Sequence, residues 1–211
     1  MKKNYPAIKQ YFVLFVLLIF FVTSCAQNTD QSKKVVKKTE QVSQGKTNSD
    51  PIKEKALQEA ALAGETEKVK SLLKENTNVD AVDEDGHTPL MYSSFNGHTE
   101  IAKILLDMGA SVTAIDYAGR TALMYASTGP FPETVELLLE YNSEPNSVDK
   151  EEHFTPLMHA AAEGHLEVVK VLLANGADPS LVDIDGDTAE AFARQNGHKE
   201  VAEIINSKSQ K

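Results

Sequence analysis

Three histidines, His98, His165 and His198, each follow a glycine. Imidazole is the commonest metal ligand and a frequent general base. Met91, Met124 and Met158 offer thioethers of the kind soft copper prefers. Asp83 and Asp85, and the run "DIDGD" from Asp183 to Asp187, pair carboxylates as calcium loops and glycosidases do. Spacing argues against each. The histidines occupy one position in successive copies of a repeated phrase, and so do the methionines. Neighbours therefore stand ~8–10 Å or more apart, one helix spacing at a time, while a single zinc ion holds its ligands at ~2 Å. His159, beside Met158, adds only one more donor. The position where a calcium loop needs a bidentate glutamate is Arg194. Aspartate at a turn is read as a local backbone cap. No nucleophile elbow, phosphate loop or dinucleotide fingerprint occurs. No catalysis, cofactor or metal is expected.

The repeated phrase is the larger signal. Thr88, Thr121, Thr155 and Thr188 open it at steps of 33, 34 and 33 residues. Leucine pairs follow at 105–106, 138–139 and 172–173. A weaker copy stands one period earlier, where Gly64 precedes Gly97 by 33. Five units run from about Lys53 to Asn206. Each reads as two short helices and a turn. Thr88 is an N-cap and Pro89 suits the first helical turn. Asn96-Gly97 stops the first helix, and Thr99 is expected to cap the second. Ile101, Ile104, Leu105 and Met108 recur at helical spacing. Residues 110–119 read as a hairpin-like loop.

The phrases "TPLMYSS", "TALMYAS" and "TPLMHAA", the Gly-His turns, the Asp-x-x-Gly-x-Thr lead-ins and "NGAD" resemble the ankyrin repeat. The likeness covers about three quarters of the chain, in register. It implies an all-α solenoid of about five helix-turn-helix units with short hairpin loops. Three departures stand out. Methionine replaces the usual histidine at Met91, Met124 and Met158, which should turn a polar link into apolar packing. "GPFPE", Gly129 to Glu133, replaces one Gly-His turn, and its prolines should reshape that turn. "DKEEHFT", Asp149 to Thr155, has an extra residue and no glycine.

The resemblance also implies a binding role, through hairpin tips and the first helix of each pair. By position, the tips hold Glu84, Asp85 and His87; Tyr117 and Arg120; Lys150, Glu151, His153 and Phe154; and Ile184 and Asp187. The helix row holds Tyr92, Tyr125, His159 and Phe192. Aromatic residues flanked by charge suit a protein partner. Acidic tips suit a partner with a basic patch. The net charge of −10 argues against nucleic acid, and a monomer is expected.

Residues 1–24 read as a signal peptide: Lys2, Lys3 and Lys9, then an apolar run from Tyr11 to Val22, then small residues. The run is shorter than the ~20 residues a bilayer span needs. "VTSC", Val22 to Cys25, resembles the lipobox of bacterial lipoproteins. That likeness implies cleavage before Cys25 and lipidation of this lone cysteine. With Ala26 after it, it points to the outer membrane, facing the periplasm. Residues 25–52 follow as a flexible linker. Residues 53–206 form the repeat domain and 207–211 a polar tail. Residues 26–53 carry +3, whereas residues 54–211 hold twelve Lys and Arg against twenty-eight Asp and Glu, net −16. The expected function is a membrane-anchored envelope lipoprotein that binds a partner protein as an adaptor or chaperone. The alternative is an inhibitor or immunity protein that blocks a toxin or enzyme.

Overall fold

A computed structural model describes residues 50–209. The signal peptide, Cys25 and nearly all of the linker lie outside these residues. Within them are ten helices, in five pairs: α1 (Pro51–Ala63) with α2 (Thr66–Lys74), α3 (Pro89–Phe95) with α4 (Thr99–Asp107), α5 (Ala122–Ser127) with α6 (Pro132–Glu140), α7 (Pro156–Glu163) with α8 (Leu166–Ala174), and α9 (Ala189–Gln195) with α10 (Lys199–Ser209). The first helix starts two residues before Lys53. The last runs three residues beyond Asn206, into the stretch read as a polar tail.

Threonine opens α3, α5, α7 and α9 as foreseen. The hydroxyls of Thr88, Thr121, Thr155 and Thr188 each accept a backbone N–H three residues on, at 3.2–3.3 Å. This satisfies one of the donors a helix start leaves bare. Thr99 differs from expectation. It is the first residue of α4, and His98 occupies the cap position without a side-chain capping bond. The Thr99 hydroxyl instead meets that of Thr134 in the next unit, at 2.7 Å.

First helices stack on first helices and second on second, along the whole row. The packing follows from columns of like residues. Ala60, Ser93, Ala126, Ala160 and Ala193 are all fully buried, and their small side chains let successive backbones approach. Leu90, Leu123 and Leu157 fill the space beside them, and Leu105, Leu138, Leu172 and Ile205 line the second-helix layer at zero exposure. No unit can bury these faces alone, so each is stabilised by the units beside it.

Met91, Met124 and Met158 are buried as apolar filler. Two keep a weak polar link: the sulfurs of Met91 and Met158 accept the N–H of Thr88 and Thr155, at 3.4 and 3.5 Å. Each Gly-His turn reaches back one unit. His98 Nε2 donates to Leu62 O at 3.2 Å, His165 Nε2 to Thr128 O at 3.0 Å and His198 Nε2 to Ala162 O at 3.2 Å. A carbonyl only accepts, which assigns the proton to Nε2. In "GPFPE" the ring of Phe131 takes over the histidine's place, close against Gly97 as His98 is against Gly64. Pro132 begins α6, where its missing N–H does no harm.

Candidate protein-binding face

The lead-in to each first helix is a tight turn built round one aspartate. Asp83 Oδ1 accepts the N–H of Asp85 (2.9 Å) and His87 (2.8 Å). Asp183 Oδ1 accepts from Asp185 (3.0 Å) and Asp187 (2.8 Å), and Asp116 Oδ1 from Arg120 (2.8 Å). Asp149 serves the longer turn by taking three, from Glu151, Glu152 and Phe154. In that turn His153 adopts the left-handed conformation (φ +59°) that Gly86 and Gly186 supply elsewhere. Adjacent turns are tied in a row: Tyr117 N–H donates to Asp85 O (3.1 Å), Lys150 N–H to Ala118 O (2.8 Å) and Ile184 N–H to Glu152 O (3.1 Å).

Asp83, Asp85 and His87 bring ligand atoms within 4.8 Å of one another. Spacing along the sequence did not foresee this trio. Its geometry is that of a turn cap, because the carboxylate of Asp83 is already committed. Besides the two backbone donors, Asp83 Oδ2 accepts the Tyr92 hydroxyl and faces His87 Nδ1 at 3.2 Å. Burial pushes the Asp83 carboxyl up, but these donors outweigh it and leave it below the usual range.

The network runs on into the next unit. His87 Nε2 lies 2.9 Å from the Tyr125 hydroxyl, which donates to Asp116 Oδ2 at 2.6 Å. Burial first, and then the partner carboxylates, raise Tyr92 and Tyr125 well above ordinary phenols. His87 thus wedges between the rings of Tyr92 and Tyr125, 5.5 and 5.7 Å from them. Further along, Phe154 wedges between His159 (5.5 Å) and Phe192 (4.9 Å).

This ladder corrects part of the site read from sequence. Tyr125, His159 and Phe192 were expected on an open helix row and Phe154 at a hairpin tip, yet they are only 5–9% exposed. His87 and Phe154, each the residue preceding a threonine, insert between the aromatic residues of adjacent units, so those contact surfaces are spent inside the stack. Tyr92, His87, Arg120 and Asp187 are half-buried. Arg120 pairs with Glu151 at 3.2 Å. Glu84, Asp85, Tyr117, Lys150, Glu151, His153 and Ile184 stand exposed.

Sequence reasoning missed four residues that share this surface. Val82, Ile115, Val148 and Val182 each precede a turn aspartate, and all are 45–57% exposed. Alternation explains them. With the aspartate turned in, the residues on either side turn out, so Val82 joins Glu84, Ile115 joins Tyr117, Val148 joins Lys150 and Val182 joins Ile184. Tyr117 and Ile184 are 69% and 55% exposed. The signal was legible as a β-branched residue recurring directly before each aspartate. The result is a row of exposed apolar residues, one before each of four turn aspartates, with the exposed carboxylates of Glu84, Asp85, Glu151, Glu152 and Asp185 in the same turns. Among the described residues no helix is long and apolar enough to cross a membrane.

Comparison with known proteins agrees with this architecture. The family model for ankyrin repeats matches in three overlapping copies, over residues 23–116, 57–149 and 123–211. A 60-residue stretch is 37% identical to Ankyrin repeat protein nuc-2 of Neurospora crassa, covering 28% of this chain and 6% of that protein. A 48-residue stretch is 50% identical to Ankyrin repeat family A protein 2 of Mus musculus, covering 23% of this chain and 15% of that one. A 67-residue stretch is 42% identical to E3 ubiquitin-protein ligase hecd-1 of Caenorhabditis elegans, covering 30% of this chain and 2% of the ligase. The likeness to each of these eukaryotic proteins is thus confined to a small part of its length.

Proposed function

Because the chain belongs to the ankyrin-repeat family, we propose that it is a non-catalytic module that binds a partner protein along its row of hairpin turns. The observation that carries this reading is the exposed apolar strip of Val82, Ile115, Val148 and Val182 with Tyr117 and Ile184. A soluble fold does not ordinarily align large apolar side chains on one edge unless something covers them. The bordering carboxylates favour a partner whose own apolar contact is ringed by lysine and arginine.

The location proposed is the bacterial envelope. The support is the stretch "VTSC" after an apolar run, with Cys25 as the site of lipid attachment. On this reading the chain is anchored by its acyl groups, with the outer membrane facing the periplasm as its setting, and works as an adaptor or chaperone. The test is crosslinking in intact cells, followed by recovery of the full chain. A specific partner should be captured by the native chain and lost from a Tyr117→Ala/Ile184→Ser double variant that folds normally. Equal capture by the two would refute the face. A Cys25→Ala form that still fractionates with membranes would refute the anchor. A partner enzyme whose turnover stops on binding would make the protein an inhibitor instead of an adaptor.

A further inference from the structure

The row of Tyr92, Tyr125, His159 and Phe192 contains one member that fits neither solution used by the others. Tyr92 and Tyr125 are long enough to place a hydroxyl on the aspartate of their own turn. Phe192 has no polar atom to satisfy. His159 is as enclosed as its neighbours, at 7% exposure, yet neither of its ring nitrogens has a hydrogen-bond partner. Arg120, across the seam in the preceding unit, also keeps its Nε buried and unpartnered. We propose that the seam between α5 and α7 is an acid-opened joint, triggered by proton uptake on His159.

The surroundings of the ring favour release over accommodation. From its own lead-in, Asp149 attracts an imidazolium, but its Oδ1 is committed to three backbone N–H groups of the turn. From the preceding unit comes the guanidinium of Arg120, which repels it. From its own side Phe154 offers a ring edge-on at 5.5 Å. Phe192 closes the following unit, whose turn carries Asp183 and Asp187. Burial, the largest effect, pushes His159 down from 6.5 to about 4, with Asp149 opposing and Arg120 assisting. The folded value lies below the unfolded one. The joint is therefore intact above the ordinary histidine range and weakens as pH falls from about 6.5 towards about 4.

Side chains from the turn after a first helix tie three of the seams backwards. Leu62 O receives both Asn96 Nδ2 (2.7 Å) and His98 Nε2 (3.2 Å), and Ala162 O receives Asn196 Nδ2 (2.8 Å) and His198 Nε2 (3.2 Å). At α5 and α7 the carbonyl of Thr128 receives His165 Nε2 at 3.0 Å. Opening here divides the hairpin row between Ala118 and Lys150. The consequence for partner binding rests on the function proposed above; the opening itself does not.

The reporter is the Lys150 amide, which bonds across this seam to Ala118 O, with the Tyr117 and Ile184 amides as controls across adjacent seams. Hydrogen exchange of the full-length chain in detergent micelles is followed by NMR at pH 7 and pH 5, with times scaled for intrinsic exchange. Lys150 protection should fall roughly twenty-fold relative to the controls. His159→Phe, which copies Phe192, should abolish that fall. If His159→Phe does not fold, His159→Tyr, which copies Tyr125, serves the same purpose. Unchanged Lys150 protection in the native chain would overturn the proposal. So would an equal loss at all three amides, or the same loss in the folded variant.

Discussion

Tyr125→Phe is the sharpest test of the ladder between units. The change removes one oxygen and leaves the ring. That oxygen donates to Asp116 Oδ2 at 2.6 Å and meets His87 Nε2 at 2.9 Å. Asp116 is 3% exposed, so water cannot readily replace the lost donor. His87 Nε2 lies 3.6 Å from the same carboxylate, too far to take over without movement. A hydrogen bond to a charged group contributes ~1.5–3 kcal/mol, and stranding its buried partner falls at the upper end. We therefore expect Tyr125→Phe to destabilise by about 2–3 kcal/mol. Tyr92→Phe is the matched control. It deletes an equivalent hydroxyl, but Asp83 keeps His87 Nδ1 at 3.2 Å and its side chain is 24% exposed. Its loss should be about 1 kcal/mol. Urea unfolding followed by circular dichroism measures both, provided the slope with denaturant stays the same. Equal losses, or a larger loss in Tyr92→Phe, would show that burial of Asp116 does not set the energetics of the ladder.

Other consequences are as direct. In Gly97→Ala the new methyl group collides with the ring of Phe131, at a backbone φ of +67°, whereas Gly109 (φ +90°) has nothing within 4 Å. Both variants carry the left-handed penalty of ~1–2 kcal/mol, and Gly97→Ala should lose ~1–3 kcal/mol more from overpacking, read from the two urea midpoints. Leu138→Ala, at a fully buried site in α6, should lose ~2–5 kcal/mol in the same assay. Tyr117→Ala should change stability by less than ~0.5 kcal/mol while weakening partner capture. Capture of a basic partner should also weaken as salt is raised, since exposed charges are screened beyond ~10 Å at 0.1 M. Capture that ignores salt would leave the apolar strip alone as the source of affinity.

The sequence by itself determined the architecture. A 33- or 34-residue period carrying threonine caps and leucine pairs pointed to stacked helix pairs, and the likeness of its phrases to the ankyrin repeat specified which stack. It also determined that like residues form rows, which is why His98, His165 and His198 tie neighbouring units together instead of meeting. Inward or outward facing was only partly legible. Tyr125 and Phe192 occupy a row that is open in a single unit, and only the preceding units, through His87 and Phe154, close it. Val82 and its three counterparts became a surface only when the turn aspartates bonded inward, which left the β-branched residues beside them facing water. Tertiary structure decided these points because burial in a stack is a property of two units at once, and a one-unit reading holds only half of each contact.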